Sequence, residues 1–111
     1  MIASTTNDIP GKKVTKVLGI ARGNAIRARH VGKDIGAFFK GIVGGEIHEY
    51  TKLMAEVREQ SIDRMKDDAE RMGGNAVIGV RMATAMVMDG AAEMVAYGTA
   101  VVAEDDNYGQ S

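Results

Sequence analysis

The stretch Glu46–Met72, EIHEYTKLMAEVREQSIDRMKDDAERM, decides the architecture of this chain. It sets Tyr50, Leu53, Met54, Val57, Ile62, Met65, Ala69 and Met72 at spacings of three and four, the period of a helix with one apolar face. Neither Pro nor Gly interrupts it before Gly73-Gly74. Glu46 and Glu49 fall in the first turn, where the partial positive charge of a helix N-terminus favours carboxylates. Either glycine can take the left-handed conformation that stops a helix. The stretch predicts one helix of roughly 35–40 Å. Arg58, Arg64 and Asp68 fall near the apolar arc. Arg64 and Asp68 are four apart and within pairing reach. They read either as an ion pair on an exposed flank or as part of a polar cluster at a subunit seam.

Working outward, Asn75–Val87 reads as a strand with two parities. Ala76, Ile78, Val80, Met82, Thr84, Met86 and Met88 form the bulkier row, which is expected to cover the helix. Asp89-Gly90 signals a turn, within a loop expected to reach Glu93. Met94–Ala103 is the return strand, with Gly98 as a bulge or a point of close approach. Upstream, Val14–Ile20 and Ala25–Val31 are rich in β-formers, and Arg22-Gly23-Asn24 suggests a bend, bulge or turn between them. Lys33–Val43 suits a short amphipathic helix, weakened by Gly36 and Gly41. The order predicts an α+β fold: a two-layer β-α-β-β subunit, its small antiparallel sheet packed on one long helix. One helix covers one sheet face. The other, carrying Val77, Val87, Val95, Tyr97 and Val101, is expected to pack against neighbouring subunits.

The chain has 111 residues and a formal charge of −1. That size predicts a single domain over residues 1–104, and 105–111 read as a disordered acidic tail. There is no cysteine, which excludes disulfides, zinc ribbons, iron–sulfur clusters and thiol catalysis. No apolar run approaches the ~20 residues a membrane helix needs, and the first residues lack the basic and apolar regions of a signal peptide. A cytoplasmic protein with no membrane partner is expected. Net charge makes nucleic acid an unfavoured partner. The charge is nonetheless asymmetric. Residues 12–40 hold eight Lys or Arg against Asp34 alone, +7, and the remainder carries −8. Basic strands beside an acidic helix in one subunit, head-to-tail contact between identical subunits, and an anionic ligand all fit this split.

Certain strings carry a resemblance. Val43-Gly44-Gly45 leads into Tyr50 and Leu53. Glu56-Val57-Arg58-Glu59 follows, then Gly74-Asn75-Ala76-Val77-Ile78-Gly79-Val80, then Tyr97-Gly98-Thr99-Ala100-Val101. From about Ser4 to Val102 the chain resembles the YbjQ-like family, small bacterial and archaeal proteins of unestablished function that carry a heavy-metal-binding label. The resemblance implies a subunit similar to the dodecin-like fold and a homopentameric ring, in single or stacked (decameric) form, with short extra strands joining neighbours. The chain departs from that family at Lys33-Asp34, where Arg-Asp is usual, at His30, and at Ser61, where Ala is common.

For the metal that label proposes, Glu46, His48 and Glu49 are the donors close together in sequence. A metal ion is thus the candidate cofactor. A site needs three or four converging ligands, so a second subunit or a His48 placed before the helix would have to complete it. The alternative is helix-start carboxylates beside a surface histidine. Met54, Met65, Met72, Met82, Met86 and Met88 could offer thioethers to Cu(I), but their core periodicity reads as packing. For an anion at a subunit seam the candidates are Arg27, Arg29, Lys33, Arg58 and Arg81. Gly41–Gly45 before the helix could present backbone N–H groups to an anion. No nucleophile elbow, phosphate loop or metalloprotease motif is present, so no catalytic residues are assigned. The sequence therefore points to a ring-forming binding protein with a metal ion or small anion at its seams. The alternative is a structural or partner-binding homo-oligomeric scaffold without a small ligand.

Overall fold

The long apolar stripe does form one helix. The computed structural model describes residues 1–28, 47–88 and 91–106, apart from the side chains of 27–28, 47–50 and 86–88. Helix α1 spans Ile47–Arg71. It stops as the two glycines require: Gly73 lies at φ +91°, its N–H donates to Glu70 O, and Gly74 N–H donates to Ala69 O at 2.9 Å, closing the last turn.

Four strands accompany it: β1 (Ile2–Ala3), β2 (Lys12–Ala28), β3 (Ala76–Met88) and β4 (Ala91–Asp105). They form one sheet in the order β1-β3-β4-β2. The sheet is mixed, not purely antiparallel as expected, because β1 runs parallel to β3 through Ile2↔Ala76 and Ala3↔Val77. Two residues carry no periodicity to read. Beyond β1 the chain stays on β3, with Ser4 N–H donating to Val77 O and Gly79 N–H to Thr6 O.

The bend, bulge or turn expected at Arg22-Gly23-Asn24 does not occur, and β2 runs through it in regular register with β4. The irregularities fall earlier, between Val14 and Lys16 and between Val17 and Gly19. The β3–β4 connection is only Asp89–Gly90, shorter than the loop to Glu93, since β4 already begins at Ala91. The proposed helix over Lys33–Val43 lies outside the described residues.

The face assignment of β3 also needs correction. The register slips between Ile78 and Arg81, at Gly79 with φ +63°. This bulge reverses the side-chain alternation. Val77 therefore joins Val80 on the helix side, in one cluster with Ala21, Met65, Ala69, Ala96 and Ala100. Ala76 packs on the opposite side with Val101, Ala103, Ile9 and Ile78.

The helix seats Val57, Ser61, Met65 and Ala69, a spacing of four, and all are fully buried. Opposite them the sheet offers mostly small residues, among them Ala21, Gly23, Ala25, Ala96 and Ala100. Large-on-helix, small-on-sheet packing brings the two layers close. Met65 is the largest fully buried side chain, worth ~1.5–3 kcal/mol of transfer free energy. A second cluster joins Val57, Met54, Ala25 and Met94. Met54, Met65, Met72 and Met94 thus act as packing residues in two separate clusters, whereas Met82 is exposed and the side chains of Met86 and Met88 lie outside the described residues.

Asn75 completes the sheet where β3 has not yet begun. Its amide Nδ2 donates to Ala103 O and its Oδ1 accepts from Ala103 N–H, both at 2.8 Å. The side chain thereby serves a backbone pair that would otherwise be buried unsatisfied. Asn75→Ala is expected to cost about 2 kcal/mol, read as a lower urea midpoint with an unchanged m-value.

No helix among the described residues is long and apolar enough to cross a membrane. The described residues form an elongated body, with principal extents of 63 × 24 × 15 Å and a radius of gyration of 18.2 Å. A compact chain of about 100 residues would give ~13 Å.

Candidate functional site

Two surfaces stand out. The first is the sheet face turned away from α1. Register places Val14, Val17 and Ile20 of β2 opposite Ala103, Val101 and Thr99, and Ile26 opposite Glu93. Val17 is 66% exposed, Ile20 65% and Ile26 57%, with Val14 and Tyr97 also exposed. Among the described residues, Ile9 covers the Ala76–Val101–Ala103 end. Of the residues expected on this face, Val95, Tyr97 and Val101 lie there and Val77 does not. The side chain of Val87 lies outside the described residues. The β2 contribution was obscured in the sequence because the two bulges spread Val14, Val17 and Ile20 at intervals of three, which hides a strand period.

The second surface is the outer edge of β2, which no strand among the described residues covers. Arg64 and Asp68 do not pair with each other. Arg64 Nη1 donates to Asn24 O at 2.8 Å. Asp68 Oδ2 accepts from Arg22 N–H at 3.0 Å, while its Oδ1 lies 3.4 Å from Arg71 Nη2. Helix side chains thus occupy edge backbone groups that a further strand would use. Gly23, between those two residues, lies against the helix backbone at Ser61–Met65. Arg22, Gly23, Asn24, Arg64, Asp67 and Arg71 line a concavity of ≈ 230 Å³. This cleft was not foreseen, because nothing in sequence brings residue 22 to residues 64–71.

Of the proposed metal donors, Glu46 lies outside the described residues. His48 and Glu49 belong to the first turn of α1, with side chains outside them. Among the described residues no three His, Cys, Asp or Glu gather into a metal-binding group. Arg29, Lys33 and the Gly41–Gly45 segment are likewise outside. Arg27 is opposite Ala92 in the sheet, its side chain not described. Arg58 is exposed on α1, 3.8 Å from Glu59. Arg81 is engaged locally, donating to Thr5 O at 3.0 Å and Val80 O at 2.8 Å, so it clamps the N-terminal turn onto the β3 bulge.

At the far end of the sheet Lys12 Nζ lies 2.7 Å from Asp105 Oδ1. Its hydrogen bond and its charge hold the Asp105 carboxyl below the ordinary value of 3.8. A carboxyl depressed by folding contributes stability above its unfolded pKa and loses it as pH falls through the folded one. Asp105→Asn is expected to lower stability slightly at neutral pH and to remove that part of the acid decline that falls below pH 3.8, so that the two proteins converge in acid. Urea melts of both proteins across the acid range check this.

Fold and surface together define a small two-layer α+β subunit in which the described residues leave one sheet face largely uncovered. The chain belongs to the YbjQ family, whose model, described as "Putative heavy-metal-binding", matches residues 1–104. A UPF0145 protein of Clostridioides difficile is 59% identical over 107 residues, covering 96% of each chain. A UPF0145 protein of Methanosarcina acetivorans is 56% identical over 101 residues, covering 91% of this chain and 95% of its own. A crystal structure of a DUF74-family protein of unknown function from Pediococcus pentosaceus shares the fold, with a TM-score of 0.58 and 16% identity over 94% of this chain and 98% of that one.

The strings that carried the resemblance have structural work in this chain. Asn75 serves the Ala103 backbone, Ala76 and Val77 are buried, and Gly79 makes the bulge. A Cβ at Gly98 would stand 2.7 Å from Val77 Cγ1 and 2.9 Å from Ile78 O, so Gly98 is a close-approach glycine. The described parts of this signature maintain a fold and display no ligand set.

Proposed function

We propose that this protein is a homo-oligomeric binding scaffold whose subunits associate through the outer sheet face. The observation that carries this reading is the run of exposed Val14, Val17, Ile20, Ile26 and Tyr97 on one face. Exposed apolar clusters of this kind mark interaction sites. Two further features support it. The described residues are more extended than a compact chain of about 100 residues. Beyond Arg81, β3 has no strand on its outer side among the described residues, and Met82–Met88 there carries no charge, which leaves the edge without the usual protection. The ring of five implied by the resemblance is the form of assembly we favour, in a cytoplasmic setting.

A resident soft metal does not fit the described residues: the chain has no cysteine and no described donor cluster. No step is derived through one. Glu46, His48 and Glu49 remain the candidate set for a harder cation at a subunit seam. Native mass spectrometry of untagged protein purified without chelator, with elemental analysis of the same sample, tests both parts. A pentamer or decamer is expected. Stoichiometric metal would assign the seam to a cation, and a metal-free ring would leave a scaffold or an anion site. A monomer at micromolar concentration would overturn the reading.

A further inference from the structure

We propose that the outer edge of β3 over Met82–Met86 pairs antiparallel with the same edge of a second copy, about a twofold axis at Thr84, and so joins one ring to another. For the ring this rests on association through the outer face; the edge pairing stands on separate observations.

The stretch is bounded at both ends. Ile2 and Ala3 pair with Ala76 and Val77. The chain that follows stays on the β3 edge as far as Val80, whose N–H donates to Ser4 O at 3.0 Å. Arg81 Nη1 holds that segment through Thr5 O. At the other end the β3–β4 register shifts between Met86 and Met88, which bends a strand out of line. Between these limits β3 pairs regularly with β4, from Arg81↔Tyr97 to Met86↔Ala92. No strand among the described residues lies on its other side there. Met82, Ala83, Thr84 and Ala85 are all exposed.

An unpaired edge is completed by a strand that is itself unpaired. The described sheet has two outer edges, and they differ in how they are guarded. β2 carries Lys12, Lys13 and Lys16 at its start, and lysine on an edge opposes strand addition. Further along, its Arg22 N–H and Asn24 O are taken by Asp68 and Arg64. Met82–Met86 holds neither a charge nor a proline. The matching edge on a second copy is therefore β3 again. Antiparallel pairing of a strand with its own copy creates a twofold axis and closes the contact. Centring that axis on Thr84 uses the whole regular stretch, setting Met82 opposite Met86, Ala83 opposite Ala85 and Thr84 opposite Thr84. No like charges meet, and a Thr–Thr pair is a favourable one. A single contact of this length falls far below the ~1,000 Å² that a stable dimer buries, so it is weak alone. A ring presents the edge once per subunit, and the contacts then act together.

The test is native mass spectrometry of the full-length protein, with circular dichroism of each sample. Wild type is compared with Thr84→Lys, Thr84→Glu and an equimolar mixture of those two variants, purified separately. Thr84→Val serves as a control, since it removes the Thr84 hydroxyl bond to Glu93 O without adding charge. Wild type and Thr84→Val are expected at twice the mass of either charged variant, because like charges then face each other across the axis. The mixture is expected to regain the wild-type mass. Charged variants that keep the wild-type mass, a mixture that stays at half of it, or a Thr84→Val protein that is also halved would overturn the edge pairing and leave the outer-face reading intact. A wild-type pentamer would do the same. A wild-type dimer that both charged variants split would uphold the edge pairing and overturn the ring. A wild-type monomer would overturn both.

Discussion

Gly23→Ala is expected to destabilise the subunit by about 3 kcal/mol or more, the upper end of what overpacking a tight core costs. A Cβ at this position falls on Met65 N and Ser61 O and stands 2.6 Å from Arg64 C. These are main-chain atoms of a helix, so no rotamer change relieves the overlap. The helix must lift from the sheet, and Val57, Ser61, Met65 and Ala69 lift with it. A domain of this size has ~5–15 kcal/mol in total, so the loss removes a large share. The check is a urea melt of Gly23→Ala beside Arg22→Ala, whose neighbouring side chain is exposed. A midpoint for Gly23→Ala within error of wild type would show that the layers are not in contact there.

For subunits that associate through the outer face as proposed, the double substitution Val17→Lys with Ile20→Lys is expected to yield folded 11.8 kDa monomers. Both side chains are about two-thirds exposed in the isolated subunit, so lysines there are solvated in the monomer. In an interface each ammonium would be buried unpaired. At ~2 kcal/mol per well-buried interface position, two such changes weaken association by about a thousandfold. Sedimentation velocity reads the mass and circular dichroism confirms the fold. Retention of the wild-type mass would remove the outer sheet face from the interface.

The helix was legible because its signal is local: eight apolar residues at one period, bounded by Gly73-Gly74. The hairpin strands were legible for the same reason. What escaped were features created by contact between distant segments. Ile2–Ala3 becomes a strand only against Ala76–Val77. Gly23 reads as a bend because glycine usually marks one, yet its purpose is room for the Ser61–Met65 backbone. Arg64 and Asp68 have helical pairing distance, but the β2 edge offers each a backbone partner, and an exposed pair of this kind is worth only a few tenths of a kcal/mol. Gly79 moved Val77 to the helix side because a bulge changes parity without changing composition. Ser61, noted in the sequence only as a departure from the family's Ala, lies fully buried with its hydroxyl donating to Arg58 O. For the candidate sites, Arg58 and Arg81 proved to be engaged locally. The cleft at the β2 edge needed the three-dimensional approach of β2 to α1.

The side-chain seal on β2 also bears on how far copies of this chain can polymerise. A sheet grows into a fibril only if each added molecule offers a fresh template on its far side. Here the uncharged β3 edge beyond Arg81 has no strand on it among the described residues, whereas the opposite edge is stoppered at Arg22 and Asn24 by the helix above it. Two molecules meeting edge to edge through β3 would therefore present only stoppered edges outward, and growth in that direction would end. Removing the stopper, with Arg64→Ala and Asp68→Ala together, is expected to allow slow thioflavin-positive fibre formation on prolonged incubation. Persistently clear solutions of the folded double variant would show that some other device limits growth.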